Sequence, residues 1–211
     1  MHVPDGFLSP EITIPSYAVA APLFVLAARR HFGPRAVDAL PVMGSLTALA
    51  LVVQTIRVPV PGGTSTHLVG AALLALVYHP LVAFVCEGLV LLLQAHFFGT
   101  GGVTVLAVNA LAMGLLGPGA GWLAYRAVRG RLREGPAAFV AGWLSMQISS
   151  LAVALVLGLQ HEISAAHFPV PFQVVLAATL VPSLLVTGLV EGAYTLAALA
   201  LLEKARLRAA P

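Results

Sequence analysis

The sequence predicts an all-α integral membrane protein with about seven transmembrane helices in one bundle. Of its 211 residues, 59% are hydrophobic and only 9% are charged, whereas soluble domains carry roughly a quarter charged residues. Apolar runs recur along the whole chain, and their length of about 20 residues is the length that spans the hydrocarbon core of a membrane. Most of the folded surface is therefore expected to face lipid.

Periodic apolar runs place the helices, although the stretch from His67 to Phe98 allows either one bent helix or two short ones. Two helices bring three basic clusters to the same side of the membrane, and this side is then the cytoplasm. The clusters are Arg29, Arg30 and Arg35; Arg126, Arg129, Arg131 and Arg133; and Lys204, Arg206 and Arg208. We therefore predict helices at residues 13–30, 36–56, 67–79, 81–98, 103–127, 137–158 and 173–201.

In this topology the N-terminus lies outside the cell and the C-terminus lies in the cytoplasm, and only Arg57 is a basic residue at an outer boundary. One transmembrane domain is expected over residues 1–211, with an extracellular N-terminal segment at 1–12, a helical bundle at 13–201 and a cytoplasmic tail at 202–211. Residues 1–11 lack the pattern of a signal peptide, so the first residue is expected to be the mature N-terminus. The expected location is the cytoplasmic membrane.

Composition also excludes several classes of protein and of site. Cys86 is the only cysteine, so the chain has neither a disulfide framework nor a thiolate metal site. Basic residues stand at the ends of apolar runs and not along one polar face, which argues against nucleic acid as a partner. Membrane lipid is the expected surrounding.

The first two residues form a chelating group for late transition metals. The terminal amine of Met1 and the amide nitrogen of His2 would close a five-membered ring with a metal ion, and the same amide and the imidazole Nδ1 would close a six-membered ring. The amide must lose its proton, so binding should release protons and weaken in acid. Taken alone, His2 could also be a disordered terminal residue.

A fourth nitrogen is available from His67, which follows the irregular segment 58–66 and is predicted to start the third helix at the outer face. It would complete a square plane, a geometry that suits Ni(II) and Cu(II), whereas Zn(II) prefers a tetrahedron. We therefore predict a metal site formed by Met1, His2 and His67. Taken alone, His67 could instead be a first-turn helix residue behind an N-cap at Ser65 or Thr66.

Two stretches, MHVPDGFLSP at residues 1–10 and GGTSTHLVG at residues 62–70, resemble the signatures of a known family. This family is the substrate-binding membrane component of energy-coupling-factor transporters for nickel and cobalt (CbiM/NikM), and the resemblance covers the whole chain. It implies seven transmembrane helices with the N-terminus inserted toward the bundle centre. There the terminal amine, His2 and His67 would hold the metal.

A third stretch, QAHFFGTGG at residues 94–102, resembles the family's loop after the fourth helix but has Thr100 where an aspartate is usual. Asn109 and Met113 occupy the family's asparagine and methionine positions just beyond it. The side chains that we expect to support the metal ligands are Ser65, Thr66, Gln94 and Asn109.

The resemblance implies capture of Ni²⁺ or Co²⁺ and delivery across the membrane by the substrate-specificity subunit of an ATP-driven transporter. Its partners would be a transmembrane scaffold subunit, ATP-binding cassette ATPase subunits and a small accessory membrane protein. The metal is the transported substrate, and no cofactor is expected. The chain is not expected to be an enzyme or to hydrolyse ATP, because its only lysine, Lys204, is followed by Ala205 and not by Ser or Thr. The choice between nickel and cobalt stays open, with the square plane favouring nickel.

Glu87 and Glu191 lie inside predicted helices and are the basis of the main alternative function. An ionised side chain at the membrane centre costs about 2.5 to 3.5 kcal/mol on translocon scales, so each is expected to be paired, protonated or functional, most simply through a hydrogen bond to Thr, Tyr or His. As proton relays they would make the chain a stand-alone proton-coupled metal carrier. A zinc enzyme built on His161, Glu162 and His167 is disfavoured, because the spacing departs from His-Glu-x-x-His.

Overall fold

Helices account for most of the chain, and one β-hairpin lies between the second and the third. The computed structural model describes residues 2–60 and 64–209. The helices are α1 (Pro10–His31), α2 (Leu40–Val53), α3 (Ala71–Val77), α4 (Pro80–Phe97), α5 (Leu106–Asn109), α6 (Gly117–Val128), α7 (Glu134–Ile163), α8 (Phe172–Pro182) and α9 (Gly188–Ala209). The strands are β1 (Arg57–Val60) and β2 (Thr64–His67). A short 3-10 helix, Pro34–Ala39, leads into α2, and π-helical segments join α5 to α6 and α8 to α9.

Counted as continuous rods, the described residues form seven helices, of which six are long and apolar enough to span a membrane. The exception is α3, whose seven residues rise only about 10 Å. The predicted number of helices is confirmed, but the third is too short to cross the bilayer by itself. Of the two arrangements considered for His67 to Phe98, the separate helices are correct. The break lies at His79, whose side chain accepts a hydrogen bond from Leu81 N and caps α4, with Pro80 in its first turn.

The predicted helix start at His67 is wrong, because this residue ends strand β2. The strands pair antiparallel with Arg57 opposite His67, and the β-branched residues of this segment favour extended backbone. Gly70 then adopts a φ of +75°, which glycine tolerates and a right-handed helix does not continue through. The helix therefore begins only at Ala71, and the interpretation of His67 as a first-turn helix residue is also wrong.

Several other helix boundaries differ from the prediction: α2 ends at Val53 and not at residue 56, α5 begins at Leu106 and not at 103, and α7 begins at Glu134 and not at 137. Helix α1 begins at Pro10 and not at residue 13, because proline fits the first turn of a helix, where its missing N–H is not needed. Helix α7 continues to Ile163 and not to residue 158. Helix α9 continues to Ala209, so most of the predicted tail at 202–211 is a helical extension of the bundle.

Each π-helical segment receives a side chain from α7. In the first, Ala110–Leu116, the carbonyl oxygen of Ala112 accepts a hydrogen bond from Ser149 Oγ at 3.1 Å. In the second, Ser183–Thr187, the carbonyl oxygen of Ser183 accepts from Gln147 Nε2 at 3.0 Å, and Ser183 Oγ donates to Gln147 Oε1 at 2.6 Å. Each of these carbonyl oxygens also accepts the backbone N–H five residues later, from Gly117 and from Gly188, so the side chains from α7 add a second hydrogen bond to each π-turn.

Helices α7 and α9 approach closely because glycines lie between them. A Cβ atom at Gly142 would lie 2.7 Å from the carbonyl oxygen of Glu191, and one at Gly192 would lie 2.8 Å from that of Phe139. Small residues of this kind allow the backbones of membrane helices to come into contact. The close contact fixes the height and rotation of α9, and with them the position of the Glu191 side chain.

Candidate metal centre

The segment before α1 lies inside the bundle, as the resemblance implies. The side chains of His2 and Val3 are 5% and 0% exposed. Asn109 holds the backbone of Val3 at two points, accepting from its N–H at 2.9 Å and donating to its carbonyl at 3.0 Å. Farther along, Ser9 N–H donates to Gln160 Oε1 at 2.8 Å. The N-terminal segment is thus attached to α5 and α7.

The loop after α4 packs against this segment and is shaped by glycines. Asp5 N–H donates to the carbonyl oxygen of Gly101, and Thr104 donates to the Asp5 carboxylate through both its N–H and its hydroxyl. A Cβ atom at Gly102 would lie only 1.8 Å from Cγ of Asp5, so a larger residue would displace that carboxylate. Gly101 has a φ of +71° and lies against the ring of His2. This loop therefore packs against the ring of His2 and bonds to Asp5.

His2 and His67 lie side by side in the bundle interior. Their ring centroids are 4.5 Å apart, and His2 Nδ1 lies 3.0 Å from His67 Nε2. His67 Nδ1 lies 2.7 Å from the carbonyl oxygen of Leu68, which can only accept, so Nδ1 carries the proton and Nε2 presents a lone pair. Two ligands at 90° around an ion, each at about 2.0 Å, are about 2.8 Å apart. The two nitrogens therefore have the spacing of adjacent ligands of one ion.

The protonation of the two imidazoles also suits metal binding. Burial lowers the pKa of His2 and the pKa of His67 well below the usual value, and the positive charge of Arg57 acts in the same direction. Both rings are therefore neutral at neutral pH. Neutral imidazole is the form that coordinates a metal ion, so binding to these rings needs no prior loss of a proton.

Glu191 in α9 and Thr187 at the end of the preceding π-helical segment contact the residues on the two sides of His67. Glu191 accepts hydrogen bonds from two consecutive backbone amides, with Oε2 at 2.8 Å from Val69 N and Oε1 at 2.8 Å from Gly70 N. The hydroxyl groups of Thr66 and Thr187 lie 3.1 Å apart. Glu191 and Thr187 are four residues apart and share one helix face, which runs along the segment from Thr66 to Gly70.

A chain of buried amide and carboxylate groups continues from the histidines. Gln94 interacts with the His2 ring and donates to Gln54 Oε1 at 3.2 Å. Gln54 Nε2 donates to the carbonyl oxygen of Val69 at 2.8 Å and to the Glu87 carboxylate at 2.9 and 3.0 Å. Glu87 is hydrogen-bonded, as expected, but its partner is Gln54 and not Thr, Tyr or His. Glu191 differs from the same expectation, since it bonds to backbone amides.

Arg57 also has a local role. Its Nη2 donates to Thr100 Oγ1 at 2.7 Å, so the base of the hairpin is tied to the loop after α4. The interaction joins a cation to the position where the resembled family usually has an aspartate. In this chain a neutral hydroxyl takes that place.

The structure brings most of the predicted site residues into one buried cluster. Its members are His2, Thr66, His67, Gln94 and Asn109. Met1 lies outside the described residues, and Ser65 is placed only by its backbone, opposite Pro59 in the hairpin. Sequence reasoning missed Gln54 and gave Glu191 no contact with the site. A glutamate within an apolar run was the available signal for Glu191, whereas a single glutamine gave none.

His161 and Glu162 lie in the last turn of α7, His167 lies in the loop after it, and both histidines form local contacts. His161 Nδ1 bonds to the carbonyl oxygen of Phe168 and His167 Nδ1 to Ser164 Oγ, both at 3.0 Å. Within residues 2–60 and 64–209, no group of three or more His, Cys, Asp or Glu side chains is placed to hold one metal ion. The hypothesis of a zinc enzyme on these residues is not supported.

The fold matches that of solved transition metal transporters. A crystal structure of a truncated transition metal transporter has a TM-score of 0.92 and 31% sequence identity, and the match covers 97% of this chain and 99% of that chain. The chain is thus an integral membrane transport protein. The family model CbiM, described as the cobalt uptake substrate-specific transmembrane region, matches residues 2–209. The chain therefore belongs to the CbiM family, and it is a transport component and not an enzyme.

Two curated relatives extend this comparison. The cobalt transport protein CbiM of Geobacter sulfurreducens is 34% identical over 211 residues, which cover 98% of this chain and 60% of that protein. The fused nickel transport protein NikMN of Rhodobacter capsulatus is 29% identical over 215 residues, which cover 97% of this chain and 62% of that protein. The chain spans about three fifths of the length of these relatives. Their names divide between cobalt and nickel.

Proposed function

We propose that the chain captures Ni²⁺ or Co²⁺ at Met1, His2 and His67 and delivers the ion across the cytoplasmic membrane. The observation that carries the proposal is the 3.0 Å separation of His2 Nδ1 and His67 Nε2 in the bundle interior. His67 Nδ1–H donates its hydrogen bond to the carbonyl oxygen of Leu68, so the lone pair of Nε2 is available to bind the metal. The assignment of His2 as a ligand is supported by its fixed backbone, because Asn109 forms two hydrogen bonds with the adjacent Val3.

Two imidazoles supply two of the four ligands of a square plane. The His2 amide nitrogen and the terminal amine of Met1 would supply the other two through five- and six-membered chelate rings. This ligand set contains only nitrogen, which favours late transition metals over Mg²⁺ and Ca²⁺. A square plane suits Ni²⁺ better than Co²⁺, so the geometry favours nickel between the two.

For transport, we infer that the chain acts as the specificity subunit of an energy-coupling-factor complex with a scaffold subunit and ATPase subunits. Membership of the CbiM family supports this assignment. The fused nickel transport relative supports a small accessory membrane protein as a further partner. We also propose that the end bearing His2 faces outward, since the basic residues Arg29, Arg30 and Arg126 then face the cytoplasm.

The alternative of a proton-coupled carrier gains no support from the two glutamates. Glu87 and Glu191 are both 0% exposed, and their oxygens bond to Gln54 and to backbone amides. A proton relay must exchange protons with water on both sides of the membrane, and these contacts serve instead to fix the fold around Val69.

The test is a titration of untagged, purified protein with Ni(II) and with Co(II). We expect His67→Ala to weaken binding at least 100-fold while the thermal unfolding midpoint stays near that of the wild type. His161→Ala is the matched control, because His161 also bonds to a backbone carbonyl through Nδ1 but lies outside the cluster. Wild-type affinity in His67→Ala would refute the site. Uptake by the reconstituted complex that continues without ATP would refute the transport mechanism.

A further inference from the structure

Glu191 is a fully buried carboxylate beside the candidate metal centre, although it is not one of the proposed ligands. Its exposure is 0%, and its two oxygens accept from the consecutive N–H groups of Val69 and Gly70, both at 2.8 Å. Hydrogen bonds to an ionised group are about twice as strong as those between neutral groups. A carboxylate that bridges two adjacent amides also fixes the direction of the peptide plane between them.

These amides belong to the turn that carries His67. His67 Nδ1 bonds to the carbonyl oxygen of Leu68, and the chain then turns at Gly70, where φ is +75°. On the other side of the turn, Gln54 Nε2 holds the carbonyl oxygen of Val69. A rotation of this turn would move Leu68 and would turn Nε2 of His67 away from His2. The position of the His67 lone pair therefore depends on the two hydrogen bonds that Glu191 accepts from Val69 and Gly70.

Charge gives a second reason for a carboxylate at this place. A divalent ion bound by an amine, a deprotonated amide and two neutral imidazoles leaves one net positive charge inside the bundle. A buried charge is expensive unless an opposite charge lies nearby. Glu191 bonds directly to Val69 and Gly70, so its carboxylate lies against the turn next to the proposed ion.

We propose that Glu191 is the positioning residue of the metal centre, which aims His67 through the Val69–Gly70 backbone and supplies buried negative charge to the bound dication. The inference rests on the proposed function. It extends the functional unit to α9, a helix that carries no proposed ligand. Thr187, one turn earlier on the same face, adds a second contact at Thr66.

The decisive variant is Glu191→Gln, which keeps the size of the side chain but removes its charge and places an N–H₂ group against a backbone N–H. Glu162→Gln is the matched control, since Glu162 is an exposed glutamate in the last turn of α7. We expect Glu191→Gln to lower Ni(II) affinity about 10- to 100-fold, as loss of a supporting contact does in other metal sites. We also expect its ligand-field absorption band to shift, because His67 is no longer held. Glu191→Asp, which keeps the charge but is shorter, should recover part of the affinity.

The spectrum separates positioning from a general structural role, because a variant that merely unfolds more easily leaves the folded fraction with the wild-type band. If Glu191→Gln kept the wild-type Ni(II) affinity and absorption band while His67→Ala lost Ni(II) binding, this inference would be overturned and the proposed function would stand. If His67→Ala bound normally, the proposed function would fail first.

Hydrogen exchange on the wild type provides a test that needs no variant to fold. We expect the peptide containing Val69 and Gly70 to exchange slowly, and more slowly still with Ni(II) bound, because the ion and the carboxylate restrain the same turn. Exchange of these two amides at the rate of unprotected amides in the metal-bound protein would overturn the inference.

Discussion

Asn109 and Val3 exchange two hydrogen bonds across 106 residues of sequence, at 2.9 and 3.0 Å. The amide side chain pairs with the backbone of Val3 as a neighbouring strand would, with one acceptor and one donor. Val3 follows His2 directly, so the peptide next to the proposed chelate is fixed by a residue at the start of a π-helical segment.

We predict that Asn109→Ala lowers Ni(II) affinity about 10- to 100-fold, because the N-terminal segment loses both contacts. Asn109→Asp keeps an acceptor for Val3 N–H but loses the donor to its carbonyl, so an intermediate loss is expected. Calorimetric titration of the purified variants measures the effect. Ser45→Ala removes only a helix hydroxyl that bonds to Pro41 and serves as the control. Wild-type affinity in Asn109→Ala would show that the N-terminal segment is held in place without these two hydrogen bonds.

Insertion of one alanine between Met1 and His2 should abolish metal uptake although every side chain is retained. The amine and the histidine amide would no longer share a five-membered ring, and an extra amide would saturate the plane and exclude His67. An uncleaved N-terminal tag should have the same effect, because it removes the free amine. Uptake by cells is the measurement. A tagged protein that transports at the native rate would show that the terminal amine is not a ligand.

The Ni(II) complex is expected to be yellow and diamagnetic. Four nitrogen ligands in a plane split the d orbitals strongly enough to pair the electrons of a d⁸ ion, and both imidazole nitrogens have the spacing of neighbours in such a plane. Absorption spectroscopy and magnetic susceptibility of the purified complex test this geometry. A paramagnetic, octahedral spectrum would contradict it.

Metal affinity should fall as the pH falls. Burial lowers the pKa of His2 and the pKa of His67 from the ordinary value of 6.5, so between pH 6.5 and 8.5 neither ring competes for protons. The protons released on binding then come from the His2 amide and, below its pKa of about 7.7 to 8.0, from the terminal amine. The logarithm of the binding constant should therefore rise by about one to two per pH unit. An affinity that is independent of pH in this range would exclude the amide as a ligand.

The same shifts predict how acid acts on the metal-free fold. An unfolded chain protonates its histidines near pH 6.5, whereas the folded protein resists protonation of His2 and His67 until the pH is lower. The unfolded state thus binds more protons, and the free energy of unfolding falls as the pH drops through 6.5.

Thr100→Asp should stabilise the protein through a new ion pair with Arg57, which now bonds to the Thr100 hydroxyl. An ion pair of this kind contributes up to about 1 kcal/mol, and salt should screen it. Thr100→Asn is the matched neutral control. Thermal unfolding in detergent at low and high salt measures the difference. Equal stability of the Asp and Asn variants at low salt would mean that Arg57 does not respond to charge at this position.

Much of the fold could be predicted from composition and from the spacing of apolar runs. Helices of membrane length are recognised because a segment that crosses lipid must be predominantly apolar over a known distance. The start of α3 could not be found in this way, since β-strand and helix are both compatible with the apolar residues after His67. The positive φ of Gly70 determines that the helix starts only at Ala71, and the presence of a glycine in a sequence does not reveal its φ.

The proximity of His2 and His67 followed from their chemistry and from the family resemblance. The contacts of Glu191 did not, because its partners are backbone amides, which every residue except proline possesses and no sequence pattern distinguishes. Gln54 was missed for a related reason. A single glutamine at the end of α2 is typical of a residue at the membrane interface, and only the structure shows that it bonds to Val69 and Glu87.

The attachment of the N-terminal segment sets the order of events during synthesis. Asn109 is made 106 residues after Val3, and Gln160 is made 151 residues after Ser9. At about 5 to 20 residues per second, Val3 waits about 5 to 20 s for its partner. This segment is thus among the last parts of the bundle to reach its native contacts, because the residues that hold it are synthesised later.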